Sequence, residues 1–146
     1  MRPFDAADPR GFLVDFFMSY HHDLVHGDED AATVIDRYHT LDVVQVADGH
    51  TMDRAKLVAH SRPVRKNKPE LAIEVHDALA CGEEIAARYT LHVHDRRRDL
   101  AIDVHFFGRF TLEGRLRSAD MLTRTVRQAQ VAEENARDRD EAARFR

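Results

Sequence analysis

The sequence is poor in cysteine. Cys81 stands alone, so no internal disulfide can form, and a single thiol beside Gly82 suits a reducing cytoplasm. No apolar run reaches membrane-spanning length, and the start, MRPFDAADPRG, has neither a basic segment followed by an apolar stretch nor a small-residue cleavage pattern. These absences predict a cytoplasmic protein with no membrane span. Neither sign of charge dominates: the formal net charge is −4, which gives no global attraction to nucleic acid. A Gly-rich phosphate loop, a Cys-x-x-Cys pair, a Gly-x-Ser-x-Gly elbow and a His-Glu-x-x-His helix are all missing. That argues against nucleotide-dependent, zinc-ribbon, common hydrolase and zincin chemistry. Cofactor-free acid–base work remains, with no metal and no cofactor expected.

What is present is enough apolar material, 43% of residues, to bury a substantial core. The pattern predicts a single domain over residues 1–126. The remainder, 127–146, RQAQVAEENARDRDEAARFR, is charged and nearly free of large apolar residues, which predicts a frayed helix or disorder.

Asp8-Pro9 reads as a helix start, because the carboxylate can cap free amides while proline takes the first turn, where its missing donor costs nothing. Phe12, Leu13, Phe16, Phe17, Tyr20, Leu24 and Val25 then share one broad stripe, with Asp15, Ser19, His22 and Asp23 turned elsewhere. Gly27 ends this helix and Asp28 can cap the next, where Ala31, Val34, Ile35 and Tyr38 repeat the spacing. Val43, Val44 and Val46 mark a first strand and Gly49 a turn. A third helix runs from about Asp53 through Leu57 and Val58 toward Pro63, which is expected to end or kink it. From Leu71 the period changes to two, predicting an antiparallel meander with turns at Cys81-Gly82 and Asp95 to Asp99. A last pair, closed by Glu113-Gly114, adds Leu116 to Val126.

If residue 95 pairs with 98, His92, His94, Asp103 and His105 share one polar face, while Leu91, Val93, Ile102, Val104 and Phe106 share the apolar face that takes the helices. Extending the register adds Glu74, His76, Arg88 and Thr90 to the polar face and leaves Asp77 at inward parity. Histidines at i and i+2 are weak evidence for a metal, so this face is read as solvated or packed on a second subunit. The basic runs Arg65 to Lys68 and Arg96 to Arg98 read as solubilising surface, since no aromatic platforms interleave them for nucleic acid.

Two helices, a strand, a third helix and a four-stranded meander, in that order, resemble the nuclear transport factor 2-like (NTF2-like) superfamily, in its ketosteroid isomerase and SnoaL-like polyketide cyclase branch. The resemblance runs from about Phe12 to Val126. It rests on the spacing from Tyr20 to Gly27-Asp28, on the Asp42-Val-Val…Asp48-Gly49 strand, and on VHFFGRFTLEGRL. It implies an α+β, cone-shaped NTF2-like fold, with three N-terminal helices packed on a curved, mostly antiparallel β-sheet. It further implies a small apolar ligand or substrate in the open end and a homodimer through the outer sheet face, with no nucleic acid and no membrane as partners.

The resemblance also implies roles. Tyr20 matches the helix-one tyrosine that donates to a developing oxyanion. Asp48 lies within one residue of the proton-transfer aspartate of strand one, its side chain free to face either way. Asp120 sits at or beside the last-strand aspartate of the cyclases. A strict two-residue count puts Met121 inward with Phe106 and Asp120 outside, whereas a bulge at Gly108 would reverse part of this. The isomerases' second donor position falls on Phe106, so steroid isomerisation is not implied. Phe16, Tyr38, His50, Phe106, Phe110 and Met121 are the expected substrate-binding residues around Tyr20 and Asp48 or Asp120. Two functions follow. One is a cofactor-independent cyclase, isomerase or dehydratase acting by acid–base chemistry on an apolar carbonyl-containing metabolite. The other is a non-catalytic pocket protein that binds an apolar ligand or serves as a dimeric assembly module.

Overall fold

The computed structural model of the chain describes residues 8–126, and the charged tail expected over 127–146 lies outside them. Helix α1 (Pro9–His26) begins as its sequence dictates: the Asp8 carboxylate accepts from the Arg10 N–H at 3.0 Å, with Pro9 in the first turn. It ends at Gly27, where a Cβ would stand 2.4 Å from the Asp23 carbonyl oxygen. Only glycine fits so close an approach. Helix α2 (Ala31–Tyr38) runs directly into strand β1 (His39–Ala47). Asp48 and Gly49, both left-handed at φ 53° and 82°, turn the chain into β2 (His50–Asp53). Asp53 then caps α3 (Arg54–Asn67) through the Lys56 N–H.

The rest is the meander β3 (Glu70–Cys81), β4 (Glu84–His94), β5 (Asp99–Phe110) and β6 (Leu116–Val126). The described strands form one sheet in the order β2-β1-β6-β5-β4-β3, antiparallel except where β1 lies parallel to β6. The inner face packs on the helices: Leu13 and Phe16 of α1 join Val75, Ile85, Tyr89, Val104, Phe106 and Phe110 in the main core, while Ile35, Val43 and Leu57 make a second cluster below α2 and α3.

Two elements depart from the sequence reading. Strand β2 was not expected, because HTMD carries no alternation of apolar residues; its pairing with β1 makes it a strand. Pro63 sits inside α3 and does not end it. The carbonyl that proline leaves unpaired belongs to Ala59, which is exposed, so water can take it, while buried Leu57 and Ser61 hold the inner side.

Register decides the faces. His94 pairs with Asp99 and the Asp95 N–H donates to the Arg98 carbonyl, so the hairpin has the pairing read from the sequence. In β3 the register shifts between Val75 and Asp77. This bulge corrects one expectation: Asp77 is not inward but turns to the outer face opposite Arg88, whose guanidinium meets its carboxylate at 2.9 Å. His76 reaches the same face, its Nε2 lying 2.8 Å from the Thr90 hydroxyl. Between β5 and β6 the shift falls at Arg109/Phe110 and not at Gly108. Met121 therefore opposes Phe106 on the inner face, and Asp120 opposes Phe107 on the outer one.

Candidate functional site

Tyr20 lies on the buried stripe of α1, one turn beyond Phe16, and its ring meets two others: Tyr38 at 5.3 Å and His39 at 5.0 Å between centroids. Phe16 touches the same pair, at 5.8 Å and 6.2 Å. Tyr38 and His39 stand at the junction where α2 becomes β1, so the helix-to-strand transition aims consecutive side chains at α1. Among the described residues the Tyr20 hydroxyl has no hydrogen-bond partner, and burial pushes its pKa up to about 12. It is therefore a neutral donor throughout the physiological range.

His39 is 2% exposed, with its Nδ1 2.8 Å from the Ile35 carbonyl oxygen. A carbonyl only accepts, so the neutral ring carries its proton on Nδ1 and presents a lone pair at Nε2. Burial lowers the imidazole pKa, which keeps that lone pair free at neutral pH. The Tyr38 hydroxyl donates to the Asp23 carboxylate at 2.6 Å, and Arg37 reaches the same oxygen at 3.3 Å. Desolvation and then the bond to Asp23 push the Tyr38 hydroxyl up to about 12. The cluster thus holds one uncommitted donor, Tyr20, one basic nitrogen, His39, and a tethered pair, Tyr38 with Asp23.

Asp23 and His39 were missed in the sequence. Asp23 reads as a solvent-facing position of α1, though its i, i+3 relation to Tyr20 is a usable signal. His39 carries no motif at all, and only the packed junction gives it a role.

The two candidate carboxylates lie elsewhere. Asp48 sits in the β1–β2 turn, exposed, and its carboxylate accepts from the Thr123 N–H at 2.8 Å and from the Thr123 hydroxyl. The threonine hydroxyl first and its amide second hold this carboxyl below the usual range, which makes Asp48 a weak base and a clamp between the turn and β6. Asp120 is exposed on the outer face, across the sheet from Tyr20. Of the expected lining residues, Phe16, Phe106 and Phe110 are 6%, 4% and 0% exposed and fill the core with ring contacts, Met121 shares the inner face, and His50 is exposed on β2. Among the described residues no three His, Cys, Asp or Glu side chains gather as a metal site.

The buried imidazoles have a consequence for stability. His39 and His21 are both lowered, each mainly by burial, so in acid the unfolded chain binds protons that the folded chain refuses. Stability is therefore fully present above the unfolded value of about 6.5 and falls as pH drops below it. Thermal melts between pH 8 and pH 5 are expected to show a falling Tm, and His39→Gln is expected to flatten part of that slope. Identical slopes in the two proteins would remove His39 from the account.

No family model and no curated protein sequence matches the chain. Solved structures do. The LEH-like epoxide hydrolase of M. tuberculosis superposes with a TM-score of 0.58 at 12% identity, covering 80% of this chain and 86% of its own. A protein of Shewanella denitrificans assigned as a SnoaL-like polyketide cyclase gives 0.57 at 14% identity, covering 75% and 88%. An NTF-2 like protein from Silicibacter pomeroyi gives 0.52 at 13% identity, covering 78% and 94%. Likeness at these identities carries the fold: the chain has the NTF2-like architecture shared by SnoaL-like and ketosteroid isomerase-like proteins.

Proposed function

We propose that the chain is a cofactor-independent acid–base enzyme of the cyclase, isomerase or dehydratase type, acting on an apolar metabolite that bears a carbonyl or a comparable oxygen. The observation that carries this reading is the Tyr20 hydroxyl, unpartnered among the described residues, beside an imidazole whose tautomer is fixed by Ile35. Tyr20 donates to the substrate oxygen while His39 Nε2 removes a proton from the adjacent carbon. The C–H electron pair moves into the new C=C bond, and the carbonyl π pair becomes the oxyanion that Tyr20 stabilises. Return of that proton to a different atom gives isomerisation, and attack of the nucleophilic carbon on an internal electrophile closes a ring. The epoxide hydrolase and cyclase names among the structural neighbours fit a scaffold that places one acid and one base around an apolar molecule. Asp48 and Asp120 have no part in this scheme.

The test is a structure of the chain soaked with a planar phenolic ligand. The reading requires the ligand oxygen within hydrogen-bond reach of Tyr20, with His39 against the same molecule. An oxygen met by Tyr20 alone moves the conclusion to ligand binding, and a ligand seated elsewhere removes the site.

A second reading, a non-catalytic dimeric module, draws on the rings that fill the inner face and on the outer face of the sheet. Leu79, Phe107 and Leu122 are exposed large apolar side chains along a groove of about 620 Å³ on that outer face, and Val44 is a further exposed one on β1. A second copy of the chain covering this face would remove them from water. Such a dimer is compatible with either reading, so the ligand experiment, and not the oligomeric state, separates them.

A further inference from the structure

The two basic runs of the sequence, read separately as surface, meet in space. Lys66, Asn67 and Lys68 at the exit of α3 and Asp95, Arg96 and Arg97 at the β4–β5 turn line one cleft of about 340 Å³. Among the described residues, the side chains of Lys66, Lys68, Arg96 and Arg97 make no ion pair and no hydrogen bond, whereas Arg37, Arg54, Arg88, Arg109 and Arg124 are each held by an acid. The one carboxylate among the described residues of the cleft does not cancel these charges. Asp95 Oδ1 accepts from the N–H groups of Arg97 and Arg98 at 2.8 and 3.1 Å, and the Arg98 guanidinium lies 3.6 Å from Oδ2. These amides, Arg97's above all, hold the Asp95 carboxyl below its usual range. Asp95 shapes the turn and leaves four cations facing one space.

Basic residues at a helix C-terminus offset the helix dipole, and that would account for Lys66 in the last turn and Lys68 at the cap alone. It does not account for Arg96 and Arg97, which a different element brings to the same cleft. Like charges held together repel, and a compact polyanion relieves the repulsion with charge-assisted hydrogen bonds. Two lysines, two arginines and the Asn67 amide supply donors for several oxygens. The volume is enough for a diphosphate group, and among the described residues no aromatic side chain lines the cleft to stack bases. We propose that this cleft binds the diphosphate group of a small-molecule ester, at a site separate from Tyr20 and His39.

The experiment is calorimetric titration of the full chain with inorganic pyrophosphate, with sulfate, and with adenosine diphosphate against adenosine, at low and at physiological salt. Saturable one-to-one binding of pyrophosphate and of the diphosphate ester is expected, with sulfate weaker and adenosine silent. Lys66→Ala with Arg96→Ala should weaken pyrophosphate by about 100-fold, roughly tenfold for each lost charged donor. Both side chains are exposed, so an unchanged melting temperature checks the fold. Sulfate binding as tightly as pyrophosphate, or equal affinity in the double variant, overturns the proposal. Tighter binding of an oligodeoxythymidine than of pyrophosphate overturns it in favour of a nucleic-acid surface. None of these outcomes bears on Tyr20, so this proposal and the acid–base reading fail independently.

Discussion

Tyr20→Phe is expected to lower turnover by about 10²- to 10³-fold, the usual cost of removing one oxyanion donor, while leaving the fold as it is. The two halves of that statement rest on separate observations. The ring keeps its contacts with Tyr38 and His39, because phenylalanine preserves them. Among the described residues the hydroxyl has no partner, so its loss breaks no hydrogen bond there, and stability should stay within about 0.5 kcal/mol. A purely structural tyrosine would give the opposite pattern, with stability moved and turnover kept. The effect should fall on kcat and kcat/KM together, since the hydrogen bond strengthens only as charge develops on the substrate oxygen. His39→Gln supplies the companion measurement. With a base whose pKa burial lowers, activity should rise with pH through a value below about 6.5 and that limb should vanish in the variant. Wild-type turnover in Tyr20→Phe, on a substrate the native protein converts, would end the oxyanion role.

The part of this site that was legible in advance is the part written in local chemistry. Asp8-Pro9 and Gly27 bracket α1, so the position of Tyr20 on its buried stripe follows from spacing alone. The turns at Gly49, at Cys81-Gly82 and at Asp95 to Asp99 fix most of the sheet register, and counting by twos places Met121 inside and Asp120 outside. What local chemistry does not contain is the extra residue of β3. A bulge costs little in sequence and reverses every side chain after it, which is why Asp77 reads at inward parity and is found paired with Arg88 outside. The place of Asp48 is likewise set by the fold: its left-handed φ of 53° belongs to the turn, and the acceptor role of its carboxylate is set by Thr123, far away in the chain. His39 is invisible to any pattern because its tautomer depends on one carbonyl at the end of α2. The convergence of two basic runs is likewise a property of the fold and not of either run.

On the dimeric reading, Phe107→Asp is expected to weaken self-association by at least about 100-fold, while the single-chain fold persists. Phe107 is 45% exposed on the outer face, opposite Ala86 on one side and Asp120 on the other. Its ring contributes nothing to the core below, so the substitution leaves the inner face packed. In a two-fold interface the same patch meets itself, so one substitution removes two aromatic anchors and adds two carboxylates near those already at Asp120. Leu122 and Leu79, at 68% and 76% exposure, form the apolar surround that such an anchor needs. Sedimentation velocity over a concentration series reads the outcome. A wild-type chain that is already monomeric across that series removes the dimer, and a Phe107→Asp chain that remains dimeric moves the interface to another face.

The parallel pairing of β1 with β6 sets an order of events during synthesis. Asp48 and Thr123, which the finished fold ties together, are 75 residues apart. A chain emerging from the ribosome completes α1, α2 and the β1–β2 hairpin long before β6 exists, and β3, β4 and β5 can pair among themselves as they appear. Neither half closes the sheet alone, because β6 occupies the slot between β1 and β5. Joining edges so distant in sequence carries a loop-closure cost that slows folding. Until residues 116–126 arrive, two open strand edges, one of them carrying Val43, Val44 and Val46, are available to other nascent chains. This protein's hazard during expression is therefore set by the interval before its last described strand, which a chaperone would have to cover.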